Sequence, residues 1–509
     1  MTVTVTSRPP RRKTGGDGFL QLLHAEWTKF RTVTGWVNGM LVAALLVVVF
    51  AVLAGLSSDQ KGAPPVPIGP GGQPVTDSFY FVHQPLAGDG TVTVSVSELQ
   101  SRIASGRGAA LPGSVPWAKA GLIIKESTRQ GSAYAAIMVT GGHGVRMQDA
   151  YVHDTAGPSG VSSAESPRWL RLERAGDTVS GYASADGADW AMVGTTRVSG
   201  LGQTAQVGLF VASPPAVEGL GTVGTISTAV FGDPRLQGGW TGGEWTGEAV
   251  GRHSPTFAGY PDGGTGSFTR SGGRFIVTGA GDIAPAVRET LPTGGTLRDI
   301  LTGTFAALIA VIVVGALFIT AEYRNKMIHI TLAASPKRSR VLVAKAIVVG
   351  AVSFVAGLVG AVLAVPIGKK LAGDNGVYIF PVDSSAELRV ALGTAALLAT
   401  ASVLALAAGA VFRHSAGAVT SVIVAIVLPY IVIAIPFMPA SVTDWLARVT
   451  PGAAFAVQQT LVEYPQVAIH YTPYNGYYPL APWAGFAVLA AYAVVSLGVA
   501  GVLLNRRDA

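Results

Sequence analysis

The chain has no cysteine among its 509 residues. That excludes disulfides, thiolate nucleophiles and Cys-ligated zinc or iron–sulfur centres, so a region facing an oxidising compartment must hold together through its own core. Charge is scarce as well. Asp, Glu, Lys and Arg make up 13% of the residues and mean hydropathy is +0.44, which fits a chain that is part membrane and part globular. No G-x-x-x-x-G-K-[ST] run occurs, so there is no P-loop to cradle nucleotide phosphates, and Gly368-Lys369-Lys370 lacks both the upstream glycine and the following hydroxyl. An Asp-x-Asp-x-Asp-Gly calcium loop is also missing. The formal charge of +7 does not point to nucleic acid, because no basic and aromatic stripe lies on a folded segment.

Present instead are six stretches able to cross about 30 Å of hydrocarbon: Gly35–Leu56, Gly303–Ala321, Val341–Ile367, Val390–Phe412, Gly417–Phe437 and Trp483–Leu504. The first follows Arg11, Arg12, Lys13, Lys29 and Arg31 like a signal peptide, but its apolar core is too long and Ser57-Ser58-Asp59 offers no small-x-small cleavage site. Cations beside the spans set the orientation. Arg11–Arg31, Arg324–Arg340, Arg413 and Arg506-Arg507 fall on one side if the spans alternate, which places both termini in the cytoplasm of a plasma-membrane protein. The long segment after the first span then lies outside, with Gly368–Arg389 and Met438–Pro482. Before the first span, Leu20, Leu23, Trp27 and Phe30 recur at helical spacing with Gln21, Glu26 and Lys29 opposite. This predicts an amphipathic helix lying in the membrane interface, Lys29 and Arg31 near acidic lipid.

Eight Pro or Gly residues in Gly62–Gly72 mark a linker. Short β-rich runs follow at Ser78–Val82, Thr91–Val96, Ala120–Glu126, Tyr134–Thr140, Gly144–Gln148, Arg168–Arg174, Thr178–Ser184, Trp190–Gly194, Gln206–Ala212 and Ile226–Phe231, a pattern that predicts an antiparallel sandwich. Trp169–Arg174 alternates apolar and charged, and Gly176 and Asp186-Gly187 supply hairpin turns. Trp169 and Trp190 are expected in the core. Glu126, Glu173, Asp186 and Asp189 could be imagined as a glycosidase pair, but charges alternating on an exposed sheet face explain them more cheaply.

In order and spacing, Ala120–Ser127, Ala135–Thr140, Trp169–Thr178 and Tyr182–Trp190 resemble concanavalin A-like (laminin-G-like) jelly rolls over roughly Val75–Asp233. The resemblance implies sugar or protein binding on the concave sheet, with Tyr134, His143, Arg146 and Trp190 as candidates. Pro234–Ala286, rich in Gly and Trp, reads as β or loop structure wrapped on the sandwich.

After the second span the chain reads Glu322-Tyr323-Arg324-Asn325-Lys326, then Thr331-Leu332, then Pro336-Lys337-Arg338, closing on Lys345 at the third span. These positions, with His24–Arg31 before the first span and the Asn505–Ala509 end, resemble ABC-2-type transporter permeases over the membrane half of the chain. The resemblance implies a coupling segment, with Glu322, Tyr323, Arg324, Lys326, Thr331, Pro336, Lys337, Arg338 and Lys345 contacting a separate ATPase subunit. It also implies pairing with a second permease copy or paralogue, short re-entrant helices at Asp444–Ala447 and Ala453–Val462, and a pathway lined mainly by the second and fifth spans. A plainer reading gives the cations a topological role alone.

The combined expectation is a polytopic α-helical membrane protein of six spans, with an all-β jelly-roll sandwich inserted between spans 1 and 2. Its parts are a cytoplasmic N-terminus (1–34), span 1 (35–56), a linker (57–74), the sandwich (75–233), a β or loop extension (234–302) and spans 2–6 (303–509), with the coupling segment at 322–340. The expected function is the permease subunit of an ABC transporter moving an amphipathic substrate in the export direction, driven by ATP hydrolysis on a separate subunit. The chain itself is read as no enzyme, with no catalytic, cofactor or metal site; ATP and magnesium are expected on the partner ATPase, and membrane lipid and an outer glycan or protein are further expected partners. The alternative is a membrane-anchored carbohydrate-binding or adhesion protein.

Overall fold

The computed structural model describes residues 18–104, 110–160, 162–218, 221–251, 266–291, 293–325, 327, 337–434 and 440–506. Its helices are α1 (Phe19–Thr32), α2 (Thr34–Ser57), α3 (Leu297–Ile300), α4 (Thr304–Arg324), α5 (Arg338–Asp374), α6 (Ser384–Phe412), α7 (Ser415–Ala434), α8 (Ala440–Val449) and α9 (Pro482–Arg506). Among the described residues six are long and apolar enough to cross a membrane: α2, the α3–α4 run, α5, α6, α7 and α9. The third is longer than expected. At 37 residues, α5 measures about 55 Å, well beyond the hydrocarbon thickness. Of the six, the α3–α4 run and α6 are the most enclosed by protein, α7 and α9 the least. Close approach of α4 and α6 depends on Gly315, where a Cβ would collide with the Ser402 carbonyl oxygen; small residues bring apolar helices together in this way.

Between α2 and α3 the chain is built of strands. They begin with β1 (Val75–Asp77), β2 (Phe79–Ala104), β3 (Ala110–Pro112), β4 (Lys119–Lys125), β5 (Tyr134–Thr140), β6 (Val145–Asp149) and β7 (His153–Ala156). Next come β8 (Arg168–Ala175), β9 (Thr178–Ser184), β10 (Ala191–Arg197), β11 (Thr204–Ala212), β12 (Ala216–Glu218), β13 (Gly221–Val223) and β14 (Thr225–Phe231). The rest are β15 (Arg235–Trp240), β16 (Thr246–Val250), β17 (Gly266–Ser271), β18 (Arg274–Gly279) and β19 (Ile283–Pro285). The main sheet runs β10-β9-β8-β2-β11-β4-β5-β6-β7, and β14 to β18 join it through β2 and one another.

The runs expected at Ser78–Val82 and Thr91–Val96 are one 26-residue strand, β2. Its first half pairs with β11 and β16, its middle with β8 and β15, and its end with β14. One strand thus passes from one layer of the fold to the other. Strands β15 to β18 continue the same sheet. Leu170 and Leu172 of β8 turn into the core with Val92, Val94, Leu122, Ile137 and Phe275. Strands β4 and β5 are buried on both faces, because a second cluster of Phe79, Phe81, Ile123, Tyr134 and Phe210 covers their other side; this is why they read as continuous apolar runs rather than alternating ones. Trp169 and Trp190 are not in the core. Both are half-buried on the outer face, because the inward positions of β8 are taken by leucines one register step away.

Entry to and exit from the β region meet. β1 and β19 pair antiparallel, Val75 opposite Pro285, and each side supplies a buried aspartate to one end of β4. Lys125 Nζ lies 2.7 Å from Asp77 and Lys119 Nζ 2.6 Å from Asp282. Tyr151 donates to the same Asp77 carboxylate at 2.6 Å. Nearby, Val467 packs on Ala284 and Val287, and the Gln466 amide donates to the Val152 carbonyl. The second expected re-entrant helix is a wholly buried 3₁₀ segment, Pro451–Gln458, ending at Gln458 rather than Val462. Arg389 caps it by donating to the Val457 and Gln459 carbonyls at 3.0 and 2.7 Å.

Candidate functional site

Helix α1 buries Glu26 and Phe30, four residues apart on one face, and leaves Leu20 77% and Trp27 43% exposed. Leu23 is half-buried. The apolar stripe expected to contain Leu20, Leu23, Trp27 and Phe30 is therefore split. Phe30 turns inward with the acid, because a stronger partner for Glu26 lies on the bundle: Lys345 near the start of α5.

Four charges close a ring there. Lys345 Nζ is 2.6 Å from Glu26 Oε2 and 2.8 Å from Glu322 Oε1 near the end of α4. Lys29 Nζ is 2.8 Å from Glu26 Oε1 and 3.0 Å from Glu322 Oε1. Two glutamates and two lysines cancel, which is the condition under which charges can be buried at all. Burial alone would lower Lys29, but the hydrogen bonds and charges of Glu26 and Glu322 outweigh it and hold Lys29 above the ordinary lysine value. An aromatic cap covers the ring. Lys345 Nζ stands 4.4 Å from the Phe318 ring centroid, and Phe318 meets Phe30 and Trp36 edge-on at 5.5 and 5.1 Å. Three elements distant in sequence, α1, α4 and α5, are thereby tied at one point.

Around this ring the described part of the segment between α4 and α5 presents cations. Arg324 and Lys337 are exposed, Tyr323 lies 5.3 Å beneath the Arg413 guanidinium, and Arg338 donates to the Leu504 carbonyl at the end of α9. Lys326, Thr331 and Pro336 lie outside the described residues. Glu26, placed by its spacing opposite the apolar stripe of α1, is the ring member missing from the residues expected to couple or to meet lipid. The available signal was its pairing with Lys345, a lone cation inside an apolar span that requires a counter-charge.

In the β region the four ligand candidates do not converge. Tyr134 is buried in the second core cluster. His143 stacks on Trp117 at 4.0 Å, and Arg146, ion-paired with Asp154, lies 5.4 Å over the same ring. Burial first and Arg146 next hold His143 below the usual histidine value. Trp190 lies elsewhere, under the Arg171 guanidinium. Of the carboxylates, Asp186 is engaged in its turn, accepting from the Ala188 and Asp189 amides at 2.8 and 2.9 Å, and Glu126 faces Arg129 at 3.8 Å. Among the described residues no group of three His, Asp or Glu side chains could hold a metal ion.

The chain matches no family model and no curated protein. Among solved structures it is similar to scytalido-glutamic peptidase with a transition state analog inhibitor, at 12% identity over 40% of this chain and 98% of that one, with a TM-score of 0.26. The same peptidase with a peptide-based analog gives 10% identity and a TM-score of 0.24. A functionally unknown protein from Saccharomyces cerevisiae gives 15% identity over 31% of this chain and 75% of that one, with a TM-score of 0.17.

Proposed function

We propose that the chain is the permease subunit of an ABC transporter of the ABC-2 type, its six apolar helices spanning the plasma membrane and its β-sandwich inserted on the outer side. The observation that carries this reading is the buried ring of Glu26, Lys29, Glu322 and Lys345. It joins the interfacial helix to both stems of the cytoplasmic segment, so a force applied to that segment moves α1, α4 and α5 together. Arg324 and Lys337, exposed beside it, suit acidic groups on a separate ATPase subunit. A second copy or paralogue completes the pathway. Because α4 is already enclosed within its own protomer while α7 is not, α7 supplies more of the lining than the second span does. With few charges inside the helices, an amphipathic cargo fits better than a small ion.

The test is co-expression of the full chain with P-loop ATPases of the same genome, followed by ATPase assay of the reconstituted complex. One of them should co-purify stoichiometrically and hydrolyse ATP faster with an amphipathic cargo present. Reversing the charge of Arg324 and Lys337 should abolish that stimulation. If no ATPase associates, the reading is wrong.

A further inference from the structure

Met192, Tyr182, Arg171, Thr93 and Arg235 are successive cross-strand partners on β10, β9, β8, β2 and β15. Directly opposed residues share a sheet face, so these five side chains form one row on the outer face, with Thr93 buried between the two arginines, while Leu170 and Leu172 point to the core. Two arginines in the row lie over tryptophans. Arg171 Cζ is 3.9 Å from the Trp190 ring centroid and Arg235 Cζ 5.2 Å from that of Trp169. The pairing repeats with a regular step: Trp190, just before β10, takes its arginine from β8, and Trp169, on β8, takes its arginine from β15, in each case two strands away. Neither guanidinium enters an ion pair among the described residues, although Arg197 at the edge of the same sheet faces Asp177 at 3.9 Å.

We propose that this face binds a linear acidic polysaccharide, Arg171 and Arg235 each taking one carboxylate. A ring beneath a guanidinium restrains its orientation while leaving its N–H edge able to grip a carboxylate through two parallel hydrogen bonds. The two arginines flank Thr93 in one row, so they stand two strand spacings, about 10 Å, apart. That step suits a polymer bearing a charge on every second sugar. Hydroxyls from Thr91, Ser95 and Ser180 flank the row and that of Tyr182 stands in it, as partners for sugar hydroxyls. A peptide adding as a strand would sit at the outer edges of β10 or β15, each paired on one side, and not over the arginine row, because β2 and β8 are hydrogen-bonded on both sides here and strand addition needs a free edge. Exposed Glu173 lies beside the row, opposite Thr91 and Ser180, and repels a polyanion from that side. The proposal rests on the β region alone and stands whatever the bundle transports.

The test uses the purified full chain in nanodiscs of neutral lipid, with surface binding to a polysaccharide of alternating uronate and N-acetylhexosamine. The same polymer with its carboxyls reduced and a single-stranded oligonucleotide serve as comparison arms. The acidic polymer should bind, and the reduced one should not. R171Q and R235Q should each weaken binding about 10- to 100-fold, the range of a lost charge-assisted hydrogen-bond pair, while R197Q leaves it unchanged. E173Q should tighten binding, a gain that misfolding cannot mimic. Equal binding of the reduced polymer, stronger binding of the oligonucleotide, an R197Q loss as large as that of R171Q, or an E173Q variant no tighter than the parent would overturn the proposal.

Discussion

Lys345 has 1% of its side chain exposed and faces two glutamates, whereas Lys29 in the same ring has 39% exposed. Removing the buried cation leaves two buried acids sharing the single charge of Lys29, and breaking a buried pair in this way costs about 3–5 kcal/mol; removing Lys29 leaves a gap that solvent reaches. K345M should therefore lower the unfolding midpoint of the detergent-solubilised protein far more than K29M, and the double change K345M/E26Q should recover much of the loss because Lys29 and Glu322 then remain as a neutral pair. Equal effects of the two lysine variants would show that the ring is not buried as described. Asp186 belongs to the opposite case, a fully exposed carboxylate held down to about 2 by the Ala188 and Asp189 amides and the Ser184 hydroxyl. A depressed carboxylate stabilises the fold above its unfolded value and loses that contribution as pH falls through the folded one. Wild type should exceed D186N in unfolding midpoint at pH 6, and the difference should shrink between about pH 4 and pH 2. Fluorescence-detected melts across that range check the sign.

Elements with one exposed face were the most legible in the sequence. Trp169–Arg174 alternates because one side of β8 meets the core, and Gly176 and Gly187 take the positive φ values of 63° and 77° that their turns require. The β-rich runs Ser78–Val82 and Thr91–Val96 predict two strands, yet the backbone between them, Pro85, Gly88 and Gly90 included, belongs to one strand paired to β11, β8 and β15. Tertiary partners decided the matter, and a single sequence does not display them. Helix α1 shows the same limit: its period does not display that Glu26 is buried, since its cation Lys345 lies on a helix more than 300 residues later in the chain. Its outward face remains a claim about lipid. The absence of cysteine makes single labels unambiguous, so L20C and Q21C can each carry one nitroxide. In nanodiscs the label at position 20 should be reached by oxygen and shielded from a water-soluble relaxant, with the reverse at position 21, if α1 lies in the interface. Equal aqueous access at both positions would remove α1 from the membrane.

At the scale of the whole molecule, two bodies share one chain, and the geometry of their junction says how independent they are. The Ala286 amide donates to the Pro74 carbonyl at 3.0 Å, so the strand-built region leaves the helical one within a hydrogen bond of where it enters. Inside that neck, Asp77 and Asp282 are locked to β4 by buried ion pairs, which makes the β region one rigid piece down to its base. Contacts across the junction among the described residues include the Gln466 bond to Val152, the Gln73 bond to the Ala150 carbonyl, the Thr76–Thr290 hydroxyl pair and the packing of Val467 on Ala284. A body whose ends coincide and whose core is self-contained can be excised without pulling its neighbour apart. Replacing residues 75–285 by a short Gly-Ser linker should therefore leave a bundle that inserts, elutes as a single species and still carries the Glu26–Lys345 ring, detectable as an undiminished penalty for K345M. Polysaccharide binding should vanish in the same protein while association with the ATPase persists. If the shortened chain aggregates although its ends are joined, the helices depend on the sandwich for their assembly, and the two halves fold as one unit.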